Sequence, residues 1–283
     1  MSTKPRSLDE VGPLRQPMTV VMLLADPQHP LVSAVVERGM MEGLTFTTTS
    51  VQEDALKHEH KAMLQAFPGG FRPQRETTVA DWSIEIAGAE SPPANCPIHR
   101  RMTVQFDHRN PTTSSEHLVV FVHDMLPPTP VSEEADLFAM WLTHIKENTK
   151  PDLRGDQRYW CDRFDVAYGV VELLKGKPKE PSFHLAGRRA WTLEETWMEF
   201  ADLARRAQAG QTGRFEVDHL VAKGVPSVKA VSVEAAANRH ERPDLGAIHR
   251  FLKNVDGEGW RPKTPLRQSL MFVLADLNER QDA

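Results

Sequence analysis

An alternation of strand and helix signals near the start of the chain restricts it to few fold classes. Thr19–Leu24 is a short, uninterrupted apolar run rich in β-forming residues, which is typical of a strand buried on both faces of a parallel sheet. Leu31–Arg38 predicts a helix that stops near Gly39, and Leu44–Thr49 predicts a second strand. This order predicts an α/β fold with a parallel sheet and helices packed on its faces.

The next part of the chain is less regular. A helix is predicted over Val51–Phe67, with Ser50 as its cap and Glu53 at the capping-box position. Residues 68–116 are broken by proline and glycine and predict only short strands.

The second half of the chain again alternates strand and helix patterns. Strands are predicted at His117–His123, Ser182–Leu185 and Val225–Val233, and helices over Glu133–Lys146, Asp165–Leu174, Thr192–Ala207 and Leu266–Leu277.

Composition and charge argue against a nucleic-acid-binding protein, a disulfide scaffold and a membrane-spanning protein. The chain has 283 residues and a formal net charge of −5, with the two signs interspersed, so no basic face predicts nucleic-acid binding. Two cysteines are too few for a disulfide scaffold, and no apolar run approaches the ~20 residues of a membrane span, which together predict a cytoplasmic protein. Residues 1–17 are polar and contain prolines, which predicts a flexible N-terminal extension.

Four segments between Arg163 and Leu270 resemble the extended short-chain dehydrogenases/reductases. The closest likeness is to the branch that holds dTDP-4-dehydrorhamnose reductase and the regulatory β subunit of methionine adenosyltransferase. The segments are Arg163-Phe164-Asp165-Val166-Ala167, Pro181-Ser182-Phe183-His184-Leu185-Ala186-Gly187, Trp197-Met198-Glu199-Phe200-Ala201, and Arg242-Pro243 followed by Gly259-Trp260-Arg261-Pro262 and a terminal helix. Their order and spacing carry the resemblance.

The resemblance implies a Rossmann-like, doubly wound parallel sheet with a small C-terminal α/β lobe, here degenerate and shortened. Residues 18–160 are expected to form the Rossmann-like core, and residues 161–283 the remainder of the core with the C-terminal lobe.

The loop after the first strand does not suit the dinucleotide that the family binds. A Rossmann domain seats a diphosphate on its first helix through a glycine-rich turn. Here the corresponding loop has no glycine, it has two prolines that lack an N–H group, and Asp26 adds a negative charge. If NAD or NADP bound here, Asp26, Gln28, His29 and Leu31 would meet it; we expect no cofactor.

The catalytic residues that the resemblance implies are also missing. The family uses a serine or threonine after a central strand and a Tyr-x-x-x-Lys pair, in which the lysine favours the phenolate. Here the strand ends in His123-Asp124, and a loose alignment places Val131 and Ala135 in the tyrosine and lysine positions. Tyr159, with Arg163 four residues later, lies in the wrong part of the fold.

Other combinations of reactive side chains are weaker, and we predict neither a catalytic nor a metal site from them. They are the histidines of Lys57-His58-Glu59-His60, the group of His99, Asp107 and His108, and a hydrolytic pairing of Ser132 with His123.

Three functions remain open from the sequence. The first is a non-catalytic scaffold or regulatory subunit that acts through a protein partner or as a homo-oligomer. The second is an atypical NAD(P)H-dependent reductase or epimerase on a nucleotide sugar. The third is a small-molecule sensor whose altered cleft binds something other than a dinucleotide.

Overall fold

The structure is a computed structural model that describes residues 19–73, 79–87, 97–106, 117–214 and 242–282. Its centre is a parallel sheet of six strands in the order β2-β1-β3-β4-β5-β8. These strands are β1 (Val20–Ala25), β2 (Thr45–Thr48), β3 (Ala80–Ile86), β4 (Ile98–Gln105), β5 (Leu118–Val122) and β8 (Ser182–Leu185). Two short strands, β6 (Met125–Leu126) and β7 (Cys161–Asp162), pair in parallel beside it.

Eight helices are described. They are α1 (Pro30–Met41), α2 (Ser50–Glu59), α3 (Lys61–Ala66), α4 (Glu133–Lys146), α5 (Arg163–Lys175), α6 (Leu193–Thr212), α7 (Gly246–Asp256) and α8 (Leu266–Asp282). None of these helices combines the length and the apolar character that a bilayer crossing requires.

The strand order confirms the predicted Rossmann-like α/β fold. The chain goes from β1 through α1 to β2 on one side and then returns to β3 on the other side of β1. The direction of winding therefore reverses between β1 and β3. In open parallel sheets, ligands bind in the crevice that such a reversal leaves at the carboxyl ends of the strands.

The main core forms where the sheet packs against α1 and α5. Alternate side chains of β1, β3, β4 and β5, such as Leu23, Ile84, Val104 and Val120, belong to one cluster with the inner faces of these helices. A second cluster lies between α4, α6 and α8 and is rich in aromatic residues, among them Trp141.

The links in the middle of the sheet are short. The connections from β3 to β4 and from β4 to β5 span residues 87–97 and 106–117, close to the dozen residues that a parallel crossover needs at minimum. Between α4 and α5 the chain forms the two-residue strand β7.

The segments that carry the family resemblance meet in space. The carboxylate of Asp165 accepts hydrogen bonds from the backbone N–H groups of Lys263 and Thr264, at 2.8 and 3.0 Å. The indole of Trp260 is buried and donates its Nε1–H to the carbonyl of Ala186 at 2.9 Å. The start of α5, the end of β8 and the loop before α8 are thereby fixed to one another.

Several helix boundaries differ from the sequence prediction. Ser50 is the first residue of α2 rather than its cap, the N-cap is Thr49 without a side-chain hydrogen bond, and the helix is interrupted at His60. Helix α5 begins at Arg163 because the side chain of Asp162 caps it.

Two further predictions have different outcomes. The strand expected at Val225–Val233 lies outside the described residues. The capping box of Thr192 and Glu195 is confirmed, although its helix, α6, continues to Thr212.

We predict that Asp165→Ala lowers the free energy of unfolding by about 2–4 kcal/mol, because two hydrogen bonds to a buried carboxylate are lost. Urea denaturation followed by circular dichroism measures the change. Asp152→Ala, which removes an exposed ion pair with Arg154, serves as the matched control and leaves stability unchanged. Equal stabilities of the two variants would contradict the role assigned to Asp165.

Candidate functional site

The backbone N–H groups of the loop between β1 and α1 are hydrogen-bonded within the loop itself. The carboxylate of Asp26 accepts the backbone N–H of Gln28 at 3.0 Å, and the Asp26 carbonyl accepts that of His29 at 3.0 Å. Pro27 has no N–H group to offer. The aspartate predicted to repel a diphosphate therefore also occupies the donors that a diphosphate would use.

The first turn of α1 is closed in the same way. His29 is the N-cap, and its Nδ1 accepts the N–H of Leu31 at 3.2 Å while its carbonyl accepts that of Val32 at 2.9 Å. Pro30 again lacks a donor. Between residues 27 and 32, every N–H group is thus either missing or bonded within the loop.

The imidazole of His29 is buried, with 7% of the residue exposed, and its centroid lies 4.8 Å from that of Phe106. Burial lowers the pKa of His29 to about 4, although Asp26 opposes this effect. Because Nδ1 accepts a hydrogen bond, the proton of the neutral ring is on Nε2, which has no hydrogen-bond partner in the part of the chain that the structure describes. An uncharged ring therefore covers the helix N-terminus where the family places a diphosphate.

A cleft of about 390 Å³ lies beside this loop at the carboxyl ends of β4 and β5, and we call it the β5 cleft. Its apolar lining residues are Phe106, Val122, Met125, Pro128 and Val131. Its polar lining residues are Asp124, Thr129, Ser132, Glu133, Glu134 and Arg158.

One guanidinium group is shared between two carboxylates of the β5 cleft. Nη1 of Arg158 lies 3.4 Å from Oδ1 of Asp124 and 3.6 Å from Oε1 of Glu134. The other oxygen of Asp124 accepts the backbone N–H of Tyr159 at 2.6 Å. Asp124 also has a φ of 46°, a left-handed conformation that is uncommon outside glycine and is concentrated at functional sites.

The positions expected to hold catalytic residues carry none of the required groups. Val131 is 98% exposed at the rim of the β5 cleft, and Ala135 is buried in the first turn of α4. Ser132 caps α4, because its Oγ accepts the N–H of Ala135 and donates to the carbonyl of Thr129. The hydroxyl is therefore engaged in structure rather than paired with His123.

Neither tyrosine is placed to act as the catalytic acid. Tyr159 uses its backbone to bind Asp124, while the guanidinium of Arg163 lies over the rings of Phe164 and Phe272. The hydroxyl of Tyr168 donates a hydrogen bond to the Asp256 carboxylate. Burial is the largest of the effects that raise the pKa of Tyr168, and this hydrogen bond is the second. A catalytic tyrosine of this fold needs a lowered pKa instead.

A histidine pair was not anticipated from the sequence. Nε2 of His123 lies 2.9 Å from Nδ1 of His184, the two rings stack against each other, and the ring of His184 also stacks against Phe121. The available signal was that both histidines belong to strand segments of one parallel sheet. Their contact depends on β5 and β8 being neighbours, which the sequence does not specify.

The described residues contain no group of three or more side chains able to hold a metal ion. His60 is buried and burial lowers its pKa, whereas His58 is exposed. His99 is exposed on β4, and Asp107 and His108 lie outside the described residues.

Comparison with solved structures supports the fold. The reductase domain of the aureusimine biosynthetic cluster superposes with a TM-score of 0.55 at 8% identity, covering 92% of this chain and 91% of that one. The terminal R domain of the myxalamid PKS-NRPS pathway gives a TM-score of 0.54 at 12% identity, covering 96% and 93%. The Bordetella bronchiseptica enzyme WbmF in complex with NADH gives 0.51 at 11% identity, covering 92% and 94%.

Of these three structures, that of WbmF contains NADH, and at identities of 8–12% the likeness shows the fold alone. No protein-family model matches the chain. No curated protein matches it either.

We predict that lowering the pH reduces the stability of the wild-type protein more than that of the His29→Asn variant. The unfolded imidazole takes up a proton near pH 6.5, but the folded one does so only near pH 4, so stability is lost as the pH falls between these values. Asparagine still accepts a hydrogen bond as an N-cap but does not titrate. Urea unfolding should show that wild type loses about 2 kcal/mol more than the variant between pH 7 and pH 5. The same loss in both proteins would contradict a buried neutral His29.

Proposed function

We propose that this chain is a protein of short-chain dehydrogenase fold without dinucleotide-dependent redox activity, and that it serves as a scaffold or regulatory subunit through contacts with another protein. The observation that carries the proposal is the closed β1–α1 loop. From residue 27 to residue 32, prolines and internal hydrogen bonds leave no N–H group for a diphosphate.

Electrostatics at the same edge of the sheet support the proposal. Asp26 lies in the loop, and the described lining of the β5 cleft includes the carboxylates of Asp124, Glu133 and Glu134 and the guanidinium of Arg158. A dinucleotide carries its own negative charges, and like charges in a partly buried site repel strongly. Binding would require both a rearranged loop and the desolvation of these groups.

The second candidate is an NAD(P)H-dependent reductase. It is favoured by the structural likeness to WbmF, whose structure contains NADH, and to the reductase domain of the aureusimine cluster. For this function, a diphosphate would have to displace the side chains of Asp26 and His29 from the first turn of α1. The acid for hydride transfer would also have to differ from the family's tyrosine.

Calorimetric titration with NADH, NADPH, NAD and NADP distinguishes the two functions. We expect no binding by the wild-type protein and no rise in its melting temperature, since a ligand that binds only the native state must raise it. Micromolar binding of any of the four would overturn the scaffold proposal and favour the reductase.

Asp26→Ala is the matched variant for this titration. If a dinucleotide crosses the loop, removing the carboxylate weakens repulsion and tightens binding by about tenfold, on the order of 1.4 kcal/mol. If the loop is not a binding site, the variant behaves as the wild type does. The scaffold role further requires a partner that co-elutes at fixed stoichiometry with the tagged protein from its native source, and a protein that elutes alone would contradict it.

A further inference from the structure

We propose that His60 is a proton-controlled anchor of the α2–α3 segment, residues 50–66. While the imidazole is neutral it holds this segment against α1, and protonation in mild acid releases the segment. The inference goes beyond the scaffold role and does not depend on it, because it involves neither the β1–α1 loop nor a partner protein.

The α2–α3 segment is attached to the rest of the protein by few side chains. Of the side chains described between residues 50 and 66, those of Leu56 and His60 are buried, and α3 contributes no buried residue. The two anchors are four positions apart, so they project from the same helix face. Leu56 belongs to the main core, whereas Met63 and Leu64 are partly buried against it. Elements with few buried contacts open locally before the whole protein unfolds.

His60 is also the junction between the two helices. It follows α2 and precedes α3, and its φ of −96° and ψ of 23° interrupt the helix. Its backbone N–H donates to the carbonyl of Leu56 at 3.0 Å, and its carbonyl accepts the N–H of Leu64 at 2.9 Å. A change of charge at this residue therefore acts on the attachment of both helices.

The imidazole of His60 lies where a positive charge is poorly compensated. The residue is 2% exposed, and its Nε2 has no hydrogen-bond partner among the residues that the structure describes. Two carboxylates act on the ring: that of Glu59, the preceding residue, and that of Glu37 on α1, whose Oε1 lies 4.0 Å from Nδ1. The side chain of Glu37 is 43% exposed, so water screens its charge. Burial outweighs both carboxylates and lowers the pKa of His60.

Acid therefore favours the open form of the segment. An exposed imidazole takes up its proton near pH 6.5, whereas the pKa of the buried ring is lower. Between these two values the open form binds more protons than the closed form, so its population grows as the pH falls. One pH unit below the ordinary value, the increase is at most about tenfold. Above that value both forms are neutral and the segment stays closed.

Hydrogen exchange followed by mass spectrometry at pH 7.5 and pH 5.5 tests the anchor, with rates corrected for the chemical pH dependence of exchange. We expect the amides of residues 50–66 to lose protection by several-fold, up to about tenfold, at the lower pH. They should exchange faster than the amides of β1 at both pH values, because the segment opens without global unfolding. Unchanged protection in acid, or exchange no faster than that of β1, would overturn the proposal.

His60→Met identifies the side chain responsible. Methionine is apolar and adapts to irregular gaps, but it takes up no proton, so the protection of residues 50–66 should not fall between the two pH values. His58→Met is the matched control, because His58 lies two positions earlier in α2 and is exposed; this variant should respond to acid as the wild type does. An acid response that persists in His60→Met, or that disappears in His58→Met, would contradict the anchor.

An NMR titration of the His60 imidazole in the wild-type protein does not depend on how well a variant folds. Its midpoint should lie below 6.5, because the closed form excludes the proton. A midpoint at or above that value would overturn the proposal. The outcome is independent of the dinucleotide titration, which tests the β1–α1 loop.

Discussion

All six strands of the central sheet run in one direction, so their carboxyl ends form a single edge on which the candidate chemistry depends. The β1–α1 loop, the His123–His184 pair and the β5 cleft all lie along this edge. The opposite edge carries the amino ends of the strands. Parallel sheets concentrate function in this way because each strand continues into its loop on the same side.

At this edge the first turn of α1 is closed by the chain's own groups. The imidazole of His29 caps the helix that elsewhere holds a diphosphate, and burial keeps that ring neutral. Asp26, Asp124 and Glu134 place carboxylates along this edge, and Arg158 lies between the last two. The fold depends on buried strand and helix faces, whereas the site depends on a few residues in loops and at element ends.

Much of the fold was predictable from local patterns. The bounds of α4 and β8 agree with the sequence prediction, and the capping box at Thr192 was read from residue types alone. These features depend on contacts between residues only a few positions apart. The cap predicted at Ser50 was wrong because Thr49 already has the extended backbone of a cap, which residue type alone did not reveal.

The candidate site was predictable only in part. Sequence reasoning identified the missing glycines and the residues Asp26 and His29, but it did not find that His29 itself caps α1. It also did not find the pairing of Arg158 with Asp124 and Glu134, which joins residues up to 34 positions apart. No local pattern encodes such a contact.

The sequence by itself determined the alternation of strands and helices at the start of the chain and the absence of a glycine-rich turn, because both follow from neighbouring residues. Only the tertiary structure decided which strands are adjacent, where the β5 cleft opens and which carboxylates share Arg158. The physical reason is that burial and charge pairing act through space, so distant segments acquire their chemistry only after the sheet has brought them together.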